Sequence, residues 1–191
     1  YTHAVTPADR VFTFDGNSNL QPDISWIKRR DTTTGHILQD SSRGVTKYFG
    51  PHTDAAESTY SGYLKSFNTN GLTIGGGDSA TNQGSGGTGV IWAWKSGGGT
   101  TTSVSESSYN AGGTYQKNET AGFSIVSYTG IDTVGEVTHG LTTQPQVVIV
   151  KRRNSTGNWA TYHESAGITG TLFLDTTAAK GNTTAYFHTG W

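Results

Sequence analysis

The stretch QPDISWIKRRDTTTG, residues 21–35, returns 123 residues later as QPQVVIVKRRNSTG, residues 144–157. Five of the first ten positions are identical, Trp26 and Ile27 give way to the apolar Ile149 and Val150, and Asp31 is answered by Asn154. An apolar run, a basic triplet and a polar turn written twice mark an internal repeat, and a repeat governs how the rest of a chain is read. With one gap, HILQDSSRGVTKYFGPHTDAAE lies over NWATYHESAGITGTLFLDTTAA. That alignment sets His36 and Ile37 over Asn158 and Trp159, and Ala55 and Ala56 over Ala178 and Ala179.

Composition fixes the fold class. The 191 residues include 27 Gly and only 14% charged residues, against about 7% and about 25% in ordinary soluble domains. Short runs of Val, Ile, Thr, Tyr, Phe and Trp alternate with Gly, Asn and Asp, the pattern of many short strands. The expectation is an all-β protein of two related antiparallel β-sandwich, jelly-roll-like modules in tandem: residues 1–95, then a Gly/Ser/Thr-rich linker over 96–120, then residues 121–191. Strands are expected near 10–14, 24–29, 36–39, 46–49, 63–67, 72–74 and 90–94 in the first module. In the second they are expected near 123–128, 136–139, 146–152, 159–163, 171–174 and 185–187. Each copy lacks something its partner has: nothing stands before Tyr1 to match GFSIVSY at Gly122, and nothing follows HTGW to match GVIWAWKSGG at Gly89. A start without Met is read as processing or excision from a longer product.

A net charge of −1 with dispersed Lys and Arg argues against nucleic acid, and no apolar run approaches the roughly 20 residues of a membrane span. The absence of Cys leaves the compartment open. Lys28, Arg29 and Arg30, with Lys151, Arg152 and Arg153, have two readings. They guard exposed strand ends against aggregation, or they form an interface or anion site for acidic glycan, phosphate or carboxylates. Trp92 and Trp94 share one face of a strand, so they fill a core or present a glycan-stacking platform; Trp26 and Trp159 are expected to be packed inside.

Oxygen side chains at Asp15, Asn17 and Asn19 resemble the start of a calcium loop, but Leu20 and Trp26 stand where Gly and Glu are required, so an Asx-rich turn is the reading. The six histidines, His3, His36, His52, His139, His163 and His188, show no zinc-ligand spacing. No phosphate loop, nucleophile elbow or catalytic constellation is found, and no metal or cofactor is expected.

The succession WIKRRDTTTGHILQDSSRGVTKYF, DAAE, LKSFNTNGLTIG and WAWKSGG resembles a domain of unknown function found in tail-fibre and other virion structural proteins of tailed phages, marine ones especially. Asp40, Ser41, Arg43, Gly44, Thr46, Lys47 and Tyr48 carry its central motif. The resemblance implies a non-enzymatic virion structural protein, a tail fibre or appendage segment at the particle surface or tail. The expected partners are other virion proteins and, because each copy is unfinished and can be completed by a strand from a neighbour, further copies of the chain, a trimer being one form; host surface glycan is a further candidate partner. A capsid decoration protein and a carbohydrate-binding module are the alternatives, with a polysaccharide depolymerase as the enzymatic rival.

Overall fold

Strands of two to six residues carry the structure, a computed structural model that describes residues 1, 8–16, 19–82 and 86–188. In chain order they are β1 (Arg10–Thr13), β2 (Ile24–Arg29), β3 (Ile37–Asp40), β4 (Lys47–Tyr48), β5 (Ser58–Thr59), β6 (Leu64–Asn68) and β7 (Gly71–Ile74). There follow β8 (Gly89–Trp94), β9 (Thr102–Val104), β10 (Gly113–Asn118), β11 (Phe123–Tyr128), β12 (Val147–Val150), β13 (Ala160–His163) and β14 (Leu172–Phe173). A 3₁₀ turn, Glu164–Ala166, follows β13. Among the described residues these strands pair antiparallel with their neighbours, in sheets ordered β1-β7-β6, β3-β2-β8, β4-β5, β9-β10-β11 and β12-β13-β14.

Alternation along β2 explains the principal core. Ser25 and Ile27 point inward and are fully buried, while Trp26 takes the other face. Ile27 and Ile37 meet Leu64, Leu72 and Ile74 from the β6-β7 hairpin, so the β3-β2-β8 and β1-β7-β6 sheets share one apolar cluster. Each fully buried Ile or Leu contributes roughly 1.5–3 kcal/mol. A second, smaller cluster joins Ala160, Tyr162 and Phe187. The protein is therefore all-β, as expected, but its sheets stay small, and the described residues do not close into a sandwich or jelly roll. Strands this short run out of backbone before they can wrap around a core.

The repeat is present in three dimensions. Ile24 faces Asp40 and Ile27 faces Ile37 across β2-β3; 123 residues on, Val147 faces His163 and Val150 faces Ala160 across β12-β13. The third strand obeys the same shift, since the bridge Leu38–Phe49 falls over Thr161–Leu172. Even the closing bond repeats: Ser41 N–H donates to Asp23 C=O (2.8 Å) and Glu164 N–H to Gln146 C=O (2.9 Å). The two connecting loops are equal in length, so the alignment gap falls away and His36 lies over Trp159, not Asn158.

Residues 96–120, expected as a linker, instead contribute β9 and β10, and β10 pairs along its whole length with β11. A buried carboxylate organises the start of this stretch. Asp23, fully buried, accepts from Ser41 Oγ (2.7 Å), Ser96 N–H (2.7 Å) and Gly98 N–H (2.8 Å). The intervening amides turn the other way, Gly97 and Gly99 donating to Gln116 Oε1 at 3.1 and 3.2 Å. Successive N–H groups can diverge this way because Gly98 and Gly99 take φ of +67° and +81°, which side chains resist. Gln116 closes the circuit by donating to Ser41 (2.8 Å) and Ser42 (2.6 Å).

Two further expectations differ. Glu136 forms only an isolated bridge with Asn110, and residues 185–187 form no strand, although Phe187 is buried in the second cluster.

Replacing Asp23 by Ala strands the buried Ser96 amide, the part-buried Gly98 amide and a hydroxyl, and should destabilise the fold by about 2–4 kcal/mol in urea unfolding, with faster exchange at Ser96 and Gly98. Gln21→Ala, which removes one exposed bond to Gly98 C=O, should cost under about 0.5 kcal/mol. Equal effects would refute the assignment.

Candidate functional site

Both basic triplets sit where a strand leaves its hairpin, and the first residue of each is used alike. Lys28 Nζ donates to the carbonyls of Arg29 and Thr32 (2.9 Å), and Lys151 Nζ to those of Arg152 (3.0 Å) and Asp54 (3.1 Å). Arg29 grips Asp31 through two bonds (3.1 and 2.9 Å) and donates to Ser79 C=O. Arg152 reaches Ser155 Oγ at 3.2 Å. The third members diverge: no side-chain hydrogen bond to the described residues holds the exposed Arg30, whereas Arg153 is clasped.

That clasp ties the second copy to the first. Arg153 makes a bidentate pair with Glu57 (Nε–Oε2 3.0 Å, Nη2–Oε1 3.1 Å) and a third bond to Ser127 Oγ (2.8 Å). Arg43 reaches the same Glu57 at 3.0 Å, pairs with Asp40 at 2.6 Å, and lies 4.4 Å over the Phe49 ring. The central motif of the sequence resemblance is thus a structural lock, with Arg43 and Glu57 side chains only 7% and 10% exposed. Burial pushes the Glu57 carboxyl up, but hydrogen bonds from Arg153 and Arg43, with their charges, outweigh it and hold the group below its ordinary value.

Around the clasp, residues 49–57 dock the second hairpin. Trp159, buried as expected, donates its indole N–H to Thr53 C=O (3.0 Å) and meets the Phe49 ring edge-on at 5.2 Å. Gly157 N–H donates to Asp54 C=O, and Glu57 N–H to Arg153 C=O, both at 2.9 Å.

The two hairpins differ most at one edge. β2 is paired on both sides, by β3 and by β8 in the order Ile24–Trp94, Trp26–Trp92, Lys28–Val90. Among the described residues β12 is paired on one side only, by β13. Because Gln146 C=O addresses β13, alternation turns the N–H and C=O groups of Val147 and Ile149 outward, along the edge that β8 covers in the first copy. Their side chains are 49% and 48% exposed.

Trp92 and Trp94 are not core residues. They are 45% and 40% exposed, because the β3-β2-β8 sheet buries its opposite face, with Ile91, against the first cluster. Trp26 supports Trp92 edge-on at 6.0 Å, and Phe123 stacks on Trp94 at 6.4 Å. An open groove of about 920 Å³ brings Lys28, Arg29 and Arg30 together with Trp92, Phe12 and Phe14. A smaller cavity of about 240 Å³ holds His36 and His52, a pair the sequence spacing did not reveal. Of the calcium-like turn, Asn17 lies outside the described residues, as does His3. Among the described residues no three His, Asp or Glu side chains converge as metal ligands.

Glu57→Gln should cost about 3 kcal/mol at neutral pH, since it removes the negative charge and leaves one carbonyl oxygen for the two guanidinium groups that share the carboxylate. A carboxyl with a lowered folded value stabilises above its ordinary pKa of 4.5 and loses that contribution as pH falls through the folded value. The difference between wild type and variant in chemical denaturation should therefore narrow below about pH 4. A difference constant between pH 7 and pH 3 would contradict this.

No curated protein and no solved structure matches the chain. A match to a domain of unknown function, DUF7483, extends from residue 9 to residue 190, across both hairpins, the clasp and the segment between them. The chain belongs to the DUF7483 family.

Proposed function

We propose that the protein is a non-enzymatic structural component of a tailed-phage virion, a tail-fibre or appendage segment, that assembles by completing the β12 sheet with a strand from a neighbouring copy. The observation that carries this reading is the β12 edge that no described strand covers, whose counterpart in the first repeat is filled by β8. The virion assignment rests on the sequence resemblance. In this reading the two modules expected from the sequence are unequal: the first supplies its own eighth strand, and the second reaches a sandwich-like state only in company.

Magnitudes favour many weak joints over one strong one. The outward groups of Val147 and Ile149 offer four main-chain hydrogen bonds at about 1 kcal/mol each, with cross-strand side-chain pairs adding about 0.2–1 kcal/mol apiece. Such a joint is weak alone and is multiplied by repetition along a fibre.

A Val147→Lys, Ile149→Lys variant changes half-exposed side chains and places charge on the edge, a device natural sheets use to block pairing. Light scattering after size exclusion should show wild type associating as concentration rises and the variant staying monomeric, with unchanged far-ultraviolet dichroism. Equal association of the two, or a wild type that never associates, would refute the proposal. The exposed, supported Trp92 and Trp94 favour a second reading, carbohydrate binding. A Trp92→Ala, Trp94→Ala variant that retains all binding on a bacterial-glycan array would eliminate it.

A further inference from the structure

His52 occupies a position where the repeat offers its own control. Its Nδ1 accepts the backbone N–H of His36, the residue just before β3, at 3.1 Å. In the second copy the residue just before β13, Trp159, makes the same bond at 3.0 Å, to the carboxylate of Asp175, 123 residues after His52. One structural hydrogen bond is thus made twice, once to an imidazole and once to a carboxylate. A carboxyl group keeps an acceptor oxygen in both protonation states, whereas an imidazolium has none.

The two hydrogen bonds fix the tautomer of each ring. His36 Nδ1 itself accepts from Trp26 Nε1–H at 2.9 Å, so both rings must be neutral with the proton on Nε2. The rings lie 5.6 Å apart. His52 packs one side of its ring against Gly35 and Gly50, so that a Cβ on Gly35 would come within 2.4 Å of it, while the residue itself is exposed to solvent. The charged and titratable groups facing the pair are Lys28 from β2, each ring toward the other, and the Tyr48 and Tyr63 phenols in the shared cavity. Among the described residues no carboxylate bonds to either ring. Partial desolvation lowers both histidines from the ordinary value of 6.5; the charges of His52 and Lys28 add to this at His36, and that of Lys28 at His52.

We propose that His52 is an acid-sensitive latch, whose protonation turns an acceptor into a donor, expels the His36 amide and loosens the 49–57 segment on which the second hairpin docks. The sign follows from linkage: a histidine neutral when folded binds its proton more readily when the latch is open, so closure is complete above about pH 6.5 and is lost as pH falls below it. The consequence reaches Thr53, Asp54 and Glu57, hence Trp159, Gly157 and Arg153. The latch is independent of the assembly reading and stands whether or not β12 recruits a strand.

The second copy supplies the test. Amide exchange at His36 and indole exchange at Trp159 should accelerate at least about tenfold, beyond the intrinsic pH dependence, between about pH 8 and about pH 5 in wild type. His52→Asp, which copies the second repeat, and His52→Asn, which offers a non-titrating oxygen, should hold both protected across that range. Wild-type protection that persists to pH 5, variants that lose it in parallel with wild type, or failure of both variants to fold at pH 8 would each overturn the latch.

Discussion

Backbone amides that no ladder reaches must find another acceptor, and in this chain Asp23 supplies it. Its carboxylate, wholly buried, takes the amides of Ser96 and Gly98 and the hydroxyl of Ser41, while Gln116 takes the amides between. Strands of two to six residues leave many such amides, and a burial without partners would cost more than the modest clusters return. The glycine run that looks like a flexible tether is therefore a binding loop for two internal side chains. It carries the first repeat into the β9-β10-β11 sheet.

The second repeat keeps the geometry of the first and changes its chemistry. Register, loop length and closing hydrogen bond are shared, yet Trp159 stands where His36 does, Asp175 where His52 does, and Arg153 is clasped where Arg30 is exposed. The most consequential difference is at the edge. β8 satisfies the outward groups of β2 and exposes two tryptophans, whereas the outward groups of β12 face no described strand. Residues 49–57 bind the halves through Glu57, whose two arginines come one from each copy.

Much of the fold was legible because its apolar strands alternate. β2, β7, β8, β11 and both hairpins fell where period-two patterning put them. β10 did not, because its buried residue is Gln116, satisfied by serines and glycine amides, and polar satisfaction leaves no trace in an apolar pattern. Trp92 and Trp94 share the strand face expected of them, but which face is buried depends on where the β6-β7 hairpin packs, a long-range fact. The basic triplets announced the repeat, yet Glu57 and Arg43, distant in sequence from Arg153, decide what Arg153 does. His36 and His52 meet through a loop closure no spacing motif encodes.

Hydrogen exchange resolved along β12 tests the central claim most directly, because adjacent amides of one strand serve as each other's reference. In dilute solution the account predicts slow exchange at Val148 and Val150, which face β13, and fast exchange at Val147 and Ile149; on assembly the latter two should become as protected as their neighbours. Val147 and Ile149 amides already protected at high dilution, or still exposed once the protein has assembled, would contradict it.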